Sequence, residues 1–359
     1  MTMPSLSGRR IFSVGEATYV WEDVVLAATL WGGWAGLEGE VRDGLALLQR
    51  LEDSEDEALP EDEIATAAAE FRYERDLVAA EDMQAWLETR GLTAEEWMDF
   101  IERTVLRRKW AEDLEAIRQE YPVEQDEVEE VIFCEAICGG RARAWSSQLA
   151  ARAAVYARTV EENAGAGDGV SEDEVRYVLD ALPAEGDASR LPDCARRADP
   201  GRLAALARLE AAWRRFAARQ VTPEAIRGQL AAHRLDWTRL RVRAIRLAQL
   251  DAAHEAALCI REDDRDPAEV AAEAGADFRE EDWYLDEADP ALRDHLLGAR
   301  AGEVLGPLPS NEEFLVLSIL AKVPPSENDP ALLLRAERAL LDRAMSREVE
   351  GRVKWNEPL

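Results

Sequence analysis

Few residues of this chain are suited to chemistry by type and spacing. The cysteines are Cys134, Cys138, Cys194 and Cys259, and the histidines are His233, His254 and His295. Cys134 and Cys138 are four apart, which on a helix places both on one face. A zinc or redox site prefers a two-residue spacer with further ligands close by, and the scattered histidines form no pair with metal-ligand spacing. Buried free thiols are the preferred reading, and neither a metal nor another cofactor is expected. GxGxxG, Gly-Lys-Ser/Thr and HExxH do not occur, so Rossmann, P-loop and zinc-hydrolase chemistry have no support. What remains is the stretch 240–325. It is anchored by Ala301-Gly302-Glu303-Val304-Leu305-Gly306-Pro307 and the apolar run Phe314-Leu315-Val316-Leu317-Ser318-Ile319-Leu320, and it opens on Arg241-Val242-Arg243-Ala244-Ile245-Arg246-Leu247.

These three segments resemble the parvulin (PpiC-type) peptidyl-prolyl isomerase domain, which carries a first strand of the form xxHILV, an xGExxGP turn and a last strand of the form GFHIIxV. The resemblance implies a shallow apolar proline pocket that favours the twisted amide over the planar one, a rotation with an uncatalysed barrier of about 20 kcal/mol. It places Ala244 and Leu315 where the family keeps its paired histidines, which implies an apolar floor without donors. Asp277 falls where the family has a cysteine or aspartate facing the pocket, so it is the one catalytic candidate; its alternative role is to cap or end a helix. Leu292 falls at the aromatic wall, and Trp283 and Tyr284 lie in the loop that follows Asp277, shorter here than in the family. For Leu315 and Trp283 the plainer reading is core packing.

A second resemblance covers 73–110. Leu77, Met83, Trp86-Leu87, Gly91-Leu92-Thr93, Glu96 and Leu106 look like the helical arm of SurA-type and PrsA-type foldases, which implies a peptide-binding cradle around Trp86 and Trp97. The Tyr19-Val20-Trp21-Glu22-Asp23-Val24-Val25 segment looks like parvulin-related proteins of peptide-maturation systems, found in clusters for ribosomally made, modified peptides (RiPPs). Together these imply a chaperone-like accessory protein that holds an extended precursor or unfolded peptide. A working isomerase, and a structural subunit of a peptide-modifying enzyme, are the alternatives.

The elements that must position these residues follow from pattern. Between 19 and 237 the sequence is almost wholly helical, with capping boxes at Thr93 to Glu96 and Ser171 to Glu174 and a cap followed by proline at Thr222-Pro223. Gly-rich 164–169 and Pro/Gly/Ser/Asp-rich 182–193 read as connections. The isomerase-like stretch reads as strand, three helices and strand, the last strand central and covered on both faces. The expected architecture is mainly α: a SurA-like helical domain over 1–235, an inserted α+β parvulin-like domain over 236–327, and a C-terminal helix over 328–359 returning to the helical domain.

Charge bounds the partners. With 74 acidic against 43 basic residues the formal net charge is −31, which argues against nucleic acid or an anionic membrane as partner. The apolar run 24–37 is interrupted by glycines and too short for a bilayer. Glu16, Glu22 and Asp23 stand between Arg9-Arg10 and that run, which a secretory signal does not tolerate, so the cytoplasm is the expected location.

Overall fold

The computed structural model describes residues 8–54, 59–163, 169–180, 192, 198–310 and 313–356. Cys194, residues 164–168 and all of 182–193 but one residue lie outside the described residues. The fold class expected from the sequence is the one observed, mainly α with a small α+β unit. The chain divides into two units: one comprises 1–217 and 345–359, the other 218–344.

The first unit is built from helices whose ends follow the local chemistry. In α5 (Ala94–Lys109) the Glu96 amide donates to Thr93 Oγ1 at 3.1 Å, and the Thr93 amide donates to Glu96 Oε2 at 2.7 Å. Ser171 and Glu174 repeat this at the start of α9 (Glu172–Leu179), at 3.3 and 2.9 Å. Gly91, with φ 67°, closes α4 (Ala80–Arg90). The segment around Tyr19 belongs to the core. Tyr19 stacks on Phe12 with ring centroids 4.7 Å apart, Trp21 meets Phe133 edge-on at 6.1 Å, and buried Asp23 pairs with Arg202. A three-stranded antiparallel sheet, β1 (Arg10–Val14) between β2 (Ala17–Val20) and β7 (Val353–Trp355), joins the two ends of the chain.

The second unit is a four-stranded antiparallel sheet in the order β4-β3-β6-β5, formed by β3 (Arg239–Leu247), β4 (Asp277–Tyr284), β5 (Val304–Ser310) and β6 (Glu313–Val323). The apolar run 314–320 lies in β6, which is central as expected. Leu240, Val242, Ala244, Leu315, Leu317 and Ile319 fill one face together with Leu292 and Leu296 of α14 (Pro290–Gly298). Ile245, Leu247 and Val316 fill the other, with Ala253, Ala256, Ala257 and Ile260 of α12 (Leu250–Glu262) and Val270 of α13 (Pro267–Ala274).

Two points differ from the sequence reading. The stretch after Asp277 is a strand, β4, and Val304–Ser310 is another. The pattern Asp-Phe-Arg-Glu-Glu-Asp-Trp-Tyr has no apolar alternation, so nothing local marks it as β. It is held by pairing with β3 and by cross-strand ion pairs: Arg241 to Glu280 at 3.1 Å, Arg246 to Asp277 at 3.4 Å, Arg239 to Asp282 at 3.6 Å. Charged pairs of this kind suit an edge strand. The division between units also falls elsewhere. Leu230 of α11 (Pro223–Ala232), Trp237, and Leu332 and Ala336 of α15 (Pro330–Arg352) form one small core. Residues 218–235 and 328–344 therefore belong with the sheet, and the return to the helical unit begins only at Met345.

Candidate functional site

The register of β3 decides which residues share a face. Residues directly opposite in an antiparallel pair point the same way. Ala244 lies opposite Arg279 and Leu317, Arg246 opposite Asp277 and Leu315, Val242 opposite Glu281 and Ile319, and Leu240 opposite Trp283. Ala244, Leu315, Asp277 and Trp283 thus come together on one face, and Leu292 closes over it from α14. Tyr284 falls on the opposite face and packs with Leu230, Trp237 and Leu332 instead, 5.7 Å from the Arg335 guanidinium. Burial raises its phenol pKa, and Asp329 adds to this. The expected aromatic pair of Trp283 and Tyr284 is split because neighbouring residues on a strand point to opposite sides.

Ala244, Leu292 and Leu315 are only 0, 4 and 4% exposed, so they are core residues beneath a helix. The polar groups of this face lie along β3 and β4. Arg246 reaches Asp277 Oδ2 at 3.4 Å and Glu281 Oε2 at 3.3 Å, Arg279 Nε donates to Asp277 at 3.0 Å, and Trp283 Nε1 donates to Glu281 at 2.7 Å. The face is therefore not without donors, as the two lost histidines suggested. Its donors are committed to carboxylates. Asp277 neither caps nor ends a helix; it opens β4 as an exposed ion-pair partner of two arginines. Arg246 and Glu281 escaped the sequence reading, although Arg246 stands two residues after Ala244 in the same strand. That spacing was the available signal, since i and i+2 share a face.

A groove of about 290 Å³ in this unit is lined by Arg239, Val323, Pro324, Asn328, Asp329 and Leu332, among others; none of its lining residues belongs to the expected pocket. In the helical unit, Trp97 is 9% exposed and packs on Phe71 with ring centroids 5.7 Å apart. It belongs to the core and is not an open cradle wall, because α5 turns its Trp97, Phe100, Ile101 stripe inward. Trp86 is half-buried, edge-on to Phe71 at 5.6 Å.

Cys134 and Cys138 lie with their sulfurs 3.7 Å apart at the end of α7 (Gln125–Cys138), free and buried. The hydrogen bond with Cys134 and then burial push the Cys138 thiol up, the reverse of what a nucleophilic or metal-binding thiolate needs. Among the described residues, no group of three or more His, Cys, Asp or Glu side chains is placed to hold a metal. No described helix is long and apolar enough to cross a membrane.

No family model matches this chain, and no curated protein does. Solved structures similar to it include two of PrsA. PrsA from Bacillus subtilis is 13% identical, covering 62% of this chain and 86% of that one, with a TM-score of 0.22. The peptidylprolyl isomerase PrsA from Bacillus anthracis is 11% identical, covering 55% and 95%, with a TM-score of 0.23.

Proposed function

We propose that this chain is a peptide-holding accessory protein whose isomerase-like unit no longer turns proline bonds, and that its client is an extended precursor or unfolded peptide in the cytoplasm. The observation that carries the reading is the state of positions 244 and 315. Both are apolar and buried under α14, while the polar groups that β3 and β4 supply to the same face are bound to one another. Accelerating amide rotation requires interactions stronger with the twisted amide than with the planar one. A floor of alanine and leucine offers none, and freeing Arg246 would break its two ion pairs. Trp283, half-buried at the rim, and Trp86 in the helical unit are the aromatic surfaces left for a peptide. A modifying enzyme that receives the peptide is the natural partner of such a holder.

A protease-coupled assay on a proline tetrapeptide should show cis-to-trans conversion at the uncatalysed rate; turnover like that of an ordinary parvulin would sink the proposal. Binding of an unfolded basic peptide, followed by tryptophan fluorescence, should weaken as salt rises from about 0.05 to about 0.5 M, because a charge of −31 acts through a screened field. Trp283→Ala should reduce the signal and the affinity together. Absence of peptide binding would point instead to a structural subunit of a peptide-modifying enzyme.

A further inference from the structure

The sheet of the second unit has two edges, and they differ. At one, β5 holds Pro307 and Pro309, and its register with β6 shifts between Leu305 and Leu308. Arg261 of α12 also donates to the Val304 and Gly306 carbonyls, at 3.0 and 3.4 Å. Prolines, an irregular register and a covering group are the usual ways to close an edge. At the other, β4 runs for eight residues without proline, paired with β3 in unbroken register from Asp277 to Tyr284.

The ladder fixes which backbone groups of β4 are left over. The Leu285 amide donates to the Thr238 carbonyl at 3.1 Å, and antiparallel pairs alternate between bonded and non-bonded. With Arg239 opposite Tyr284, the bonded pairs are then Trp283 with Leu240, Glu281 with Val242, Arg279 with Ala244 and Asp277 with Arg246. The far side of the sheet agrees. Ile319 exchanges bonds with Gly302 and Glu303, away from β3, so its neighbour Ser318 turns toward β3, opposite Arg243. The amides and carbonyls of Phe278, Glu280 and Asp282 therefore point away from β3. Among the described residues no strand pairs on that side, and no hydrogen bond reaches those groups. An unpaired row of this kind is a template for another strand.

Charge selects what the template takes. β4 carries Asp277, Glu280, Glu281 and Asp282 against Arg279, and Asp277, Glu280 and Asp282 are exposed. The arginines that pair with these acids from β3, Arg239, Arg241, Arg243 and Arg246, lie one strand spacing further from the edge, about 4.8 Å. Like charges directly opposite are destabilising, so two copies of this edge repel, whereas a strand bearing lysine or arginine meets acids first. We propose that the outer edge of β4 takes an extended basic peptide segment as a fifth strand of the sheet, bonded through the main chain of Phe278, Glu280 and Asp282. The proposal rests on the peptide-holding reading and gives it a place and a mode: the backbone carries the affinity, and the acids set the preference.

The test uses the full chain and a dye-labelled, capped octapeptide alternating lysine with threonine, titrated by fluorescence anisotropy. Saturable binding is expected, with slowed hydrogen exchange at the Phe278, Glu280 and Asp282 amides. The same peptide N-methylated at its two central residues keeps its charge but loses an amide in whichever frame faces β4. It should bind at least about tenfold more weakly. Glu280→Pro removes an amide that β3 does not use, at the kind of edge position where proline is tolerated, and should weaken binding by about as much. Glu280→Gln keeps that amide and should cost only about twofold to fourfold, the worth of one surface charge pair. Full binding by the N-methylated peptide would overturn strand addition and leave peptide holding to another surface; this arm decides even if Glu280→Pro fails to fold. No binding of the unmodified peptide would overturn both proposals. A concentration-dependent dimer that protects the same three amides without peptide would give the edge to a second copy and also overturn strand addition by a peptide.

Discussion

Replacing Glu135 by leucine should be among the most damaging single changes in the helical unit, with an expected loss of about 3–5 kcal/mol. Glu135 is 2% exposed and accepts from Arg103 Nε at 2.8 Å and from Arg107 Nη2 at 3.1 Å. Arg107 has alternatives in the Glu40 carbonyl at 2.9 Å and in Thr104. Arg103, with its side chain 3% exposed, would be left as a buried charge without its carboxylate. The penalty comes from that stranded charge, so Arg103→Met combined with Glu135→Leu should recover most of the loss, even though it removes more polar contacts. Urea unfolding of the single and double variants measures both terms. A single variant within about 1 kcal/mol of the parent, or a double variant as unstable as the single one, would contradict the account of a desolvated pair.

The second large effect is expected at Gly306, in β5, where the pairing register with the central strand β6 shifts between Leu305 and Leu308. Gly306 has φ +122°, and a Cβ there would lie 2.6 Å from the Leu315 carbonyl oxygen and 3.1 Å from Val316 Cα. Both obstacles are backbone of the central strand, which cannot swing aside as a side chain would. Gly306→Ala should therefore destabilise the sheet unit by roughly 3 kcal/mol or more, adding a steric clash to backbone strain. Gly302, in the turn just before β5, separates the two terms. It has φ +84°, and a methyl group added there would meet nothing within 4 Å, so Gly302→Ala should cost only the left-handed penalty of about 1–2 kcal/mol. Amide hydrogen exchange of β3 and β6 reads the sheet unit separately from the helices. Equal losses for the two alanines would show that close approach to Leu315 does not constrain β5 at Gly306.

The gap between what was legible in the sequence and what was not has a physical origin. Thr93 with Glu96, Ser171 with Glu174 and Thr222 with Pro223 all sit where their local chemistry puts them, since a cap is satisfied within a few residues and needs no distant partner. The central strand at 314–320 was equally readable, because burial on both faces requires an unbroken apolar run. Strand β4 was not, since its stability lies across the sheet in Arg239, Arg241 and Arg246. The candidate site was readable only in part. The sequence determined that positions 244 and 315 carry no imidazole, that the chain is strongly acidic, and that most of it is helical. Tertiary structure alone decided that Ala244, Leu292 and Leu315 are sealed into a core, that Trp283 and Tyr284 part to opposite faces, and that Arg246 and Glu281 take the polar role on the sheet. Helix caps and apolar runs are set by neighbours in the chain; burial, facing and charge pairing are set by residues tens of positions away, and only folding brings those together.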